Sequence, residues 1–144
     1  MRNNSNFKNI AAVIIAVIGL IVIMVASSRS AKVDEAIYRD RLKVAKEYVV
    51  KNYEPERETD DIRVALGPRG CAYWIIGEDS DEVLVNDNRD LVVLINDAVD
   101  AQTKWTGNQE TAGFCAAVLL IGLLFGVVIA IAFVVTAIRE HRKM

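Results

Sequence analysis

Residues Phe114 to Ile138 read FCAAVLLIGLLFGVVIAIAFVVTAI, a run of 25 residues that contains no charged side chain. As an α-helix this stretch would be about 37 Å long, which exceeds the hydrocarbon thickness of roughly 30 Å in a typical bilayer. The stretch therefore predicts a transmembrane helix. The basic residues Arg139, Arg142 and Lys143 follow it at once.

A second apolar segment lies near the start of the chain. It reads IAAVIIAVIGLIVIMVA from Ile10 to Ala26 and follows a polar start of nine residues. Its length suits either a short membrane span or the apolar core of a signal peptide, and Val25-Ala26-Ser27 offers the small residues that signal peptidase prefers. Because signal-peptide cores are usually shorter, we expect an uncleaved membrane anchor over 10–28 and a second span over 114–138.

The charges are segregated along the chain. Both tails, 1–9 and 139–144, carry a net positive charge, whereas residues 27–113 hold 12 Lys and Arg against 18 Asp and Glu. Lys and Arg close to a membrane span favour the cytoplasmic side. Arg29 and Lys32 argue for the reverse, but the tail after the second span is denser. We therefore expect a multi-pass protein of the plasma (inner) membrane, with cytoplasmic termini and residues 29–113 outside.

The segment after the first span has the pattern of an amphipathic helix over 30–53. Ser30 can cap its start, and Pro55 forbids its continuation. No Pro or Gly lies between Gly19 and Pro55, so the helix can also continue directly from the first span as a rigid stalk. The apolar face of the helix consists of Tyr38, Leu42, Ala45, Val49 and Tyr53.

After a charged linker the apolar period changes to two, which predicts β-strands. We expect strands over 62–66, 71–76 and 82–86, joined by turns at 67–70 and 77–81. The second run, CAYWII, is apolar on both faces and predicts the central strand of an antiparallel meander. The candidate core residues of the domain are Tyr38, Leu42, Val49, Tyr73, Trp74 and Ile75.

Residues 90–105 follow helical spacing from Asp90, which can cap the segment, although the β-branched start also suits a fourth strand. The polar stretch TGNQETAG over 106–113 contains two glycines and predicts a short flexible link into the second span. The whole pattern predicts a membrane protein in which two transmembrane helices flank a small extracytoplasmic α+β domain over 29–113.

Catalytic residue sets are not evident in the predicted outer domain. The only histidine, His141, belongs to the C-terminal tail, so no Ser/His/Asp or Cys/His set can be assembled. Cys71 follows a glycine, but without a histidine to activate its thiol we interpret it as a small buried side chain. We expect a protein that is not an enzyme and that holds no cofactor.

Two acidic clusters, 78–82 and 87–90, could bind Ca²⁺ through carboxylate oxygens. Neither has the spacing of an EF-hand loop, so we interpret both as solvated turns and expect no metal site. Because the domain is acidic, it would repel phosphates, and we expect no nucleic acid partner. Aromatic residues such as Trp74 are expected in the core, whereas Trp105 could instead lie at the membrane interface.

Small residues recur on one face of each apolar segment, and such faces let helices approach closely in lipid. They can pack against each other within one chain, contact another protein or a second copy, or have no role. A disulfide between Cys71 and Cys115 is a further, less favoured possibility. The candidate helix-packing residues are Ala12, Ala16, Gly19, Gly122, Gly126 and Ala130.

These observations favour a non-enzymatic membrane protein that presents a small acidic interaction domain, as an accessory subunit of a membrane complex. Its partners would be the lipid bilayer and a protein, or a second copy, that contacts the transmembrane helices. An oligomeric membrane-permeabilising protein of the holin kind is an alternative on size and charge alone. A ligand or ion sensor that relays its signal through a partner is another.

Overall fold

The computed structural model describes residues 2–67, 69–77, 82–85 and 89–144. Two long apolar helices flank a small antiparallel sheet of three strands, as the sequence predicts at this level. A 3₁₀ turn, Thr59–Asp61, precedes the first strand. In chain order the elements are α1 (Arg2–Asn52), β1 (Ile62–Gly67), β2 (Gly70–Ile75), β3 (Val83–Leu84) and α2 (Arg89–Lys143).

The chain divides into two compact units, and each long helix contributes to both. One unit contains Met1–Ser28 and Gln109–Met144, and we call it the helix pair. The other unit is Arg29–Asn108, which we call the sheet domain. The sheet domain contains all three strands together with the second half of α1 and the first part of α2.

The strands lie in the order β1-β2-β3, and both pairings are antiparallel. The predicted meander with a central second strand is thus confirmed. Strand β3 is shorter than the predicted 82–86, although the Val85 N–H still donates to the Cys71 carbonyl at 2.8 Å. The β1–β2 hairpin closes on the pair Gly67 and Gly70, where Gly70 has a φ of 117° that favours glycine. Pro68, on which the predicted type I turn depends, lies outside the described residues.

Helix α1 runs without interruption from Arg2 to Asn52, which confirms that the amphipathic helix continues from the first apolar segment. Ser30 therefore lies inside the helix and is not its cap. The helix ends just before Pro55, whose ring would clash with the carbonyl of Lys51. The Val49 carbonyl in the last turn accepts from the N–H groups of Tyr53 and Glu54, at 2.8 and 3.2 Å.

Helix α2 confirms the helical alternative for 90–105, and Asp90 lies in its first turn. The prediction of a flexible link over 106–113 is wrong, because α2 continues through it to Lys143. Each glycine costs a helix about 1 kcal/mol relative to alanine, but helix propagation from both flanks adds a hydrogen bond per residue. The Thr106 hydroxyl also donates to the Gln102 carbonyl at 3.0 Å, and the Asn108 amide donates to Asp34 Oδ2 at 2.8 Å.

The core of the sheet domain lies between one face of the sheet and the two helices. Alternation along β1 buries Ile62 and Val64 and exposes Arg63. Of the candidate core residues, Val49 and Tyr73 are buried, Leu42 and Ile75 pack against the core from its margin, and Tyr38 and Trp74 are half-buried. The buried core residues are Ala45, Val49, Ile62, Val64, Cys71, Tyr73, Val85, Leu91 and Ile95.

Candidate functional site: the apolar surface of the helix pair

The helix pair exposes its apolar side chains instead of burying them. Phe125 is 68 % exposed and Phe133 is 78 % exposed, and all residues from 121 onward are exposed. Exposed apolar area costs roughly 25 cal/mol per Å² in water, and a hydrocarbon environment removes this cost. Both helices are long and apolar enough to cross a membrane.

Polar groups are scarce on this surface. Between Phe114 and Ile138 no side chain is ionisable apart from Cys115, which is buried. The hydroxyl of Thr136 donates to the Ala132 carbonyl at 2.9 Å, so it is satisfied within its own helix. A partner of this surface would therefore recognise its shape and its apolar side chains, and not its charge.

An apolar groove of about 600 Å³ runs between the two helices of the pair. On the α2 side the groove includes Gly122 and Gly126, two of the candidate packing residues. A Cβ added at Gly19, Gly122 or Gly126 would meet no atom within 4 Å. The groove is lined by Val13, Val17, Leu20, Ile21, Val118, Leu119, Gly122, Leu123 and Gly126.

The small-residue faces are thus not in tight contact with each other at these glycines. Ala12, Ala16 and Ala130 are exposed as well. The open space at these glycines does not support the alternative in which the two small-residue faces pack closely against each other within one chain. Contact with another protein or a second copy stays a prediction.

The basic residues that the sequence assigns to topology lie at the end of α2. Arg139, Arg142 and Lys143 are all exposed in the last turns of this helix, together with His141. Positive charge at a helix C-terminus interacts favourably with the helix dipole. These side chains therefore stabilise the helix end whether or not a membrane is present. The orientation that they predict is a separate inference.

In the sheet domain, a polar contact joins the segment after α1 to the central strand. The Tyr73 hydroxyl donates to Glu54 Oε1 at 2.9 Å, and the Tyr53 ring stacks on the Tyr73 ring at 5.9 Å between centroids. Burial, supported by the hydrogen bond and the charge of Glu54, raises the pKa of Tyr73 to about 12. The sequence gives no signal for this contact, because Glu54 is one of several carboxylates in a charged linker.

Both cysteines are free thiols and both are buried, Cys71 in the sheet domain and Cys115 in the helix pair. Burial raises the pKa of the Cys71 thiol above its ordinary value. A nucleophilic cysteine needs the opposite shift, towards the thiolate. The geometry thus gives Cys71 the character of a core side chain.

The aromatic residues that could line a ligand groove make contacts with each other and with an arginine. Trp105 stacks on Tyr38 with 5.6 Å between ring centroids, and the Arg63 guanidinium lies 5.8 Å from the Trp74 ring centroid. Trp105 is half-buried in this stack inside the sheet domain. Sequence periodicity places each ring on a face but does not identify its partner.

The acidic clusters fall largely outside the described residues, which exclude 78–81 and 86–88. Among the residues that the structure does describe, no group of three or more His, Cys, Asp or Glu side chains could hold a metal ion. The prediction that these clusters are solvated turns therefore stays a prediction.

Comparison with protein-family models, with curated proteins and with solved structures gives no match to this chain. Among the surfaces described above, the exposed apolar surface of the helix pair departs furthest from that of a protein surrounded by water.

Proposed function

We propose that this chain is an integral membrane protein with two transmembrane helices, and that it acts as a non-enzymatic accessory subunit of a membrane complex. The observation that carries the proposal is the outward-facing apolar surface of the helix pair. A continuous apolar surface of this extent marks contact with lipid or with another apolar surface.

The construction of the sheet domain supports the second half of the proposal. This domain buries its own apolar residues, with Ile62, Leu91, Val49 and Cys71 fully enclosed. It therefore does not need the bilayer to cover its core. Its sequence carries an excess of carboxylates, which keeps its surface hydrated, and a hydrated domain beside two spans is suited to present a binding surface at the membrane.

The orientation follows from the charge distribution. Basic tails favour the cytoplasm, so the proposal places both termini inside the cell and the sheet domain outside the plasma (inner) membrane. Partner binding is assigned to the membrane-facing groove, because Gly122 and Gly126 leave room for the backbone of another helix to approach.

Membrane insertion and orientation can be tested with single cysteines at exposed positions, since Cys71 and Cys115 are buried. Glu56→Cys reports the sheet domain, and Met144→Cys reports the C-terminus; both positions are exposed. In intact cells an impermeant maleimide should label the first variant and not the second, and inside-out vesicles should reverse this. Extraction of the protein by alkaline carbonate would contradict insertion, and the reverse labelling pattern would contradict the orientation.

Partner binding through the groove can be tested by filling it. Gly126→Leu adds bulk inside the groove, whereas Val128→Phe adds bulk on the opposite side of the same helix. After cross-linking in membranes and purification in mild detergent, the first variant should lose the partner or the second copy, and the control variant should keep it. Equal recovery with both variants would exclude the groove as the binding surface. Ion leakage on expression of the unchanged protein would favour the permeabilising alternative.

A further inference from the structure

Strand β1 lies at one edge of the sheet, and among the described strands it pairs only with β2. The Ile76 N–H donates to the Asp61 carbonyl at 2.7 Å, which shows that residue 61 directs its backbone groups towards β2. Backbone groups in an antiparallel strand alternate in direction. Residues 63, 65 and 67 therefore also bond to β2, and residues 62, 64 and 66 direct their backbone groups away from the sheet.

The outward-directed groups differ in how they are satisfied. The Ile62 N–H donates to the Thr59 carbonyl. The N–H and carbonyl groups of Val64 and Leu66 have no hydrogen-bond partner among the residues that the structure describes. An unpaired edge of this kind is a template for another strand. The opposite edge strand, β3, spans only two residues and offers a much shorter template.

We propose that β1 pairs antiparallel with β1 of a second copy of this chain, about a two-fold axis that passes beside Ala65. In this register Val64 exchanges both backbone hydrogen bonds with Leu66 of the second copy, and Leu66 does the same with Val64 of the second copy. The N–H and carbonyl groups of Val64 and Leu66 are then all satisfied in both copies. The two sheets join into one sheet of six strands.

Neighbouring registers leave a backbone group of Val64 or Leu66 without a partner. An axis at Val64 would set Leu66 opposite Ile62 of the other copy, whose N–H is already bonded to Thr59. An axis at Leu66 would set Val64 opposite Pro68, which has no N–H to donate. Only the register centred on Ala65 uses both backbone groups of Val64 and both of Leu66, whereas the Ile62 carbonyl is used only in the register centred on Val64.

The side chains fit the same register. Ala65 faces Ala65 of the second copy, and two small side chains tolerate the close spacing of such a pair. Arg63 faces Gly67, so like charges do not meet. The hairpin loop of one copy, which carries the exposed Arg69, lies next to the start of the other copy's strand, which follows Asp60 and Asp61. Opposite charges therefore meet at both ends of the paired strands.

Cysteine substitution in the full-length protein tests this register directly. Residues that face each other in a pair without mutual hydrogen bonds have Cβ atoms about 4.5–5.5 Å apart, within reach of a disulfide. Ala65→Cys should therefore form a covalent dimer when the protein, purified in detergent, is treated with copper phenanthroline. Arg63→Cys is the matched control, because residue 63 of one copy lies about 13 Å from residue 63 of the other.

The expected result is a covalent dimer with Ala65→Cys and at least tenfold less dimer with Arg63→Cys. Equal yields from the two variants, or no dimer from Ala65→Cys, would overturn the proposal. The unchanged protein, whose two cysteines are buried, should give no dimer. None of these outcomes depends on membrane insertion, so the proposal is tested separately from the function proposed above.

A second pair of variants tests the backbone hydrogen bonds. In the Ala65→Cys background, Leu66→Pro removes an outward N–H, and proline is tolerated on an edge strand where the N–H faces away from the sheet. Leu66→Val shortens the same side chain and keeps the N–H. The dimer yield should fall at least fivefold with proline and little with valine. Equal yields from two protease-resistant variants would contradict strand pairing; should the proline variant fail to fold, the cysteine pair decides alone.

Discussion

Phe133 of the helix pair is largely exposed, whereas Ile62 of the sheet domain is completely buried, although the two units share the same two helices. In the helix pair apolar residues lie on every side of each helix. In the sheet domain the buried apolar residues lie on one side of each helix, as with Ala45 and Val49 on α1. Helix continuity and helix environment are therefore set independently: the first by the absence of proline, the second by the spacing of polar residues.

The largest expected effect is a charge placed in the core of the sheet domain. Leu91 is 0 % exposed and Val93, two residues further along α2, is 57 % exposed. Leu91→Asp should destabilise the domain by roughly 4 kcal/mol or more, because it leaves a cavity and an unpaired charge. Val93→Asp should cost less than about 1 kcal/mol. Protease resistance of the sheet domain distinguishes the two, and equal resistance would refute the assigned core.

The next effect concerns an exposed apolar residue of the helix pair. If lipid surrounds this unit, Leu123→Arg should disfavour membrane insertion by about 3 kcal/mol, since arginine is costly at the centre of a span. The same exposed position in water would tolerate arginine. The measurement is the fraction of protein that resists carbonate extraction, with Leu123→Ala as the control. If Leu123→Arg resists extraction as well as the unchanged protein does, lipid does not surround this position, and the two units do not differ in environment as expected.

A smaller effect is expected from the contact between Tyr73 and Glu54. Tyr73→Phe removes a hydrogen bond to a charged group, which should cost about 1.5 kcal/mol of unfolding free energy in the sheet domain. Denaturant unfolding monitored by tryptophan fluorescence measures it. Since this bond is internal to the sheet domain, resistance to carbonate extraction should not change. A Tyr73→Phe variant with altered extraction would show that the bond also affects the helix pair.

The same tyrosine gives a pH dependence with a defined sign. The folded state raises the pKa of Tyr73 from 10.0 to about 12, so the folded protein retains a proton that the unfolded chain loses. The resulting stability is complete below pH 10 and is lost as the pH rises towards 12. Unfolding free energy should therefore fall more steeply over this range in the unchanged protein than in Tyr73→Phe. Parallel pH curves would contradict the raised pKa.

The smallest expected effect tests the part of α2 that approaches the boundary between the units. Gly107 is helical, and an added Cβ would meet no atom within 4 Å. Gly107→Ala should therefore stabilise the helix by about 0.5–1 kcal/mol. A flexible link at this place would give no such gain. Hydrogen exchange over 103–111, compared between the two proteins, measures the difference.

Much of the fold could be predicted from patterns of one residue type. Ile62 and Val64 have period two, the run from Cys71 is a short apolar segment between turns, and α1 lacks Pro and Gly after Gly19, so strands and a long helix follow from local rules. The same local rules wrongly predicted a flexible link over 106–113, because the helix propagates from both sides through Gly107 and Gly113. The weak local preference of these glycines against a helix is overcome by the long helical segments on both sides.

The candidate surfaces were only partly predictable, because they depend on distances between elements. Sequence periodicity places Gly122 and Gly126 on one helical face, but the open space beside them depends on the distance to neighbouring elements. Similarly, the unpaired groups of Val64 and Leu66 follow from which strand is central and from the parity of a single hydrogen bond. Neither the open space nor the unpaired backbone groups can be predicted from the spacing of residue types.

The placement of the two thiols has a practical consequence: each unit contains its own reporter of local opening. Cys71 lies in the sheet domain and Cys115 in the helix pair, and neither can be alkylated without exposure of its surroundings. When closing is faster than alkylation, the labelling rate measures the free energy of the opening that exposes each thiol. The time courses of the two cysteines, separated by mass spectrometry, would thus show whether the units open together or one at a time.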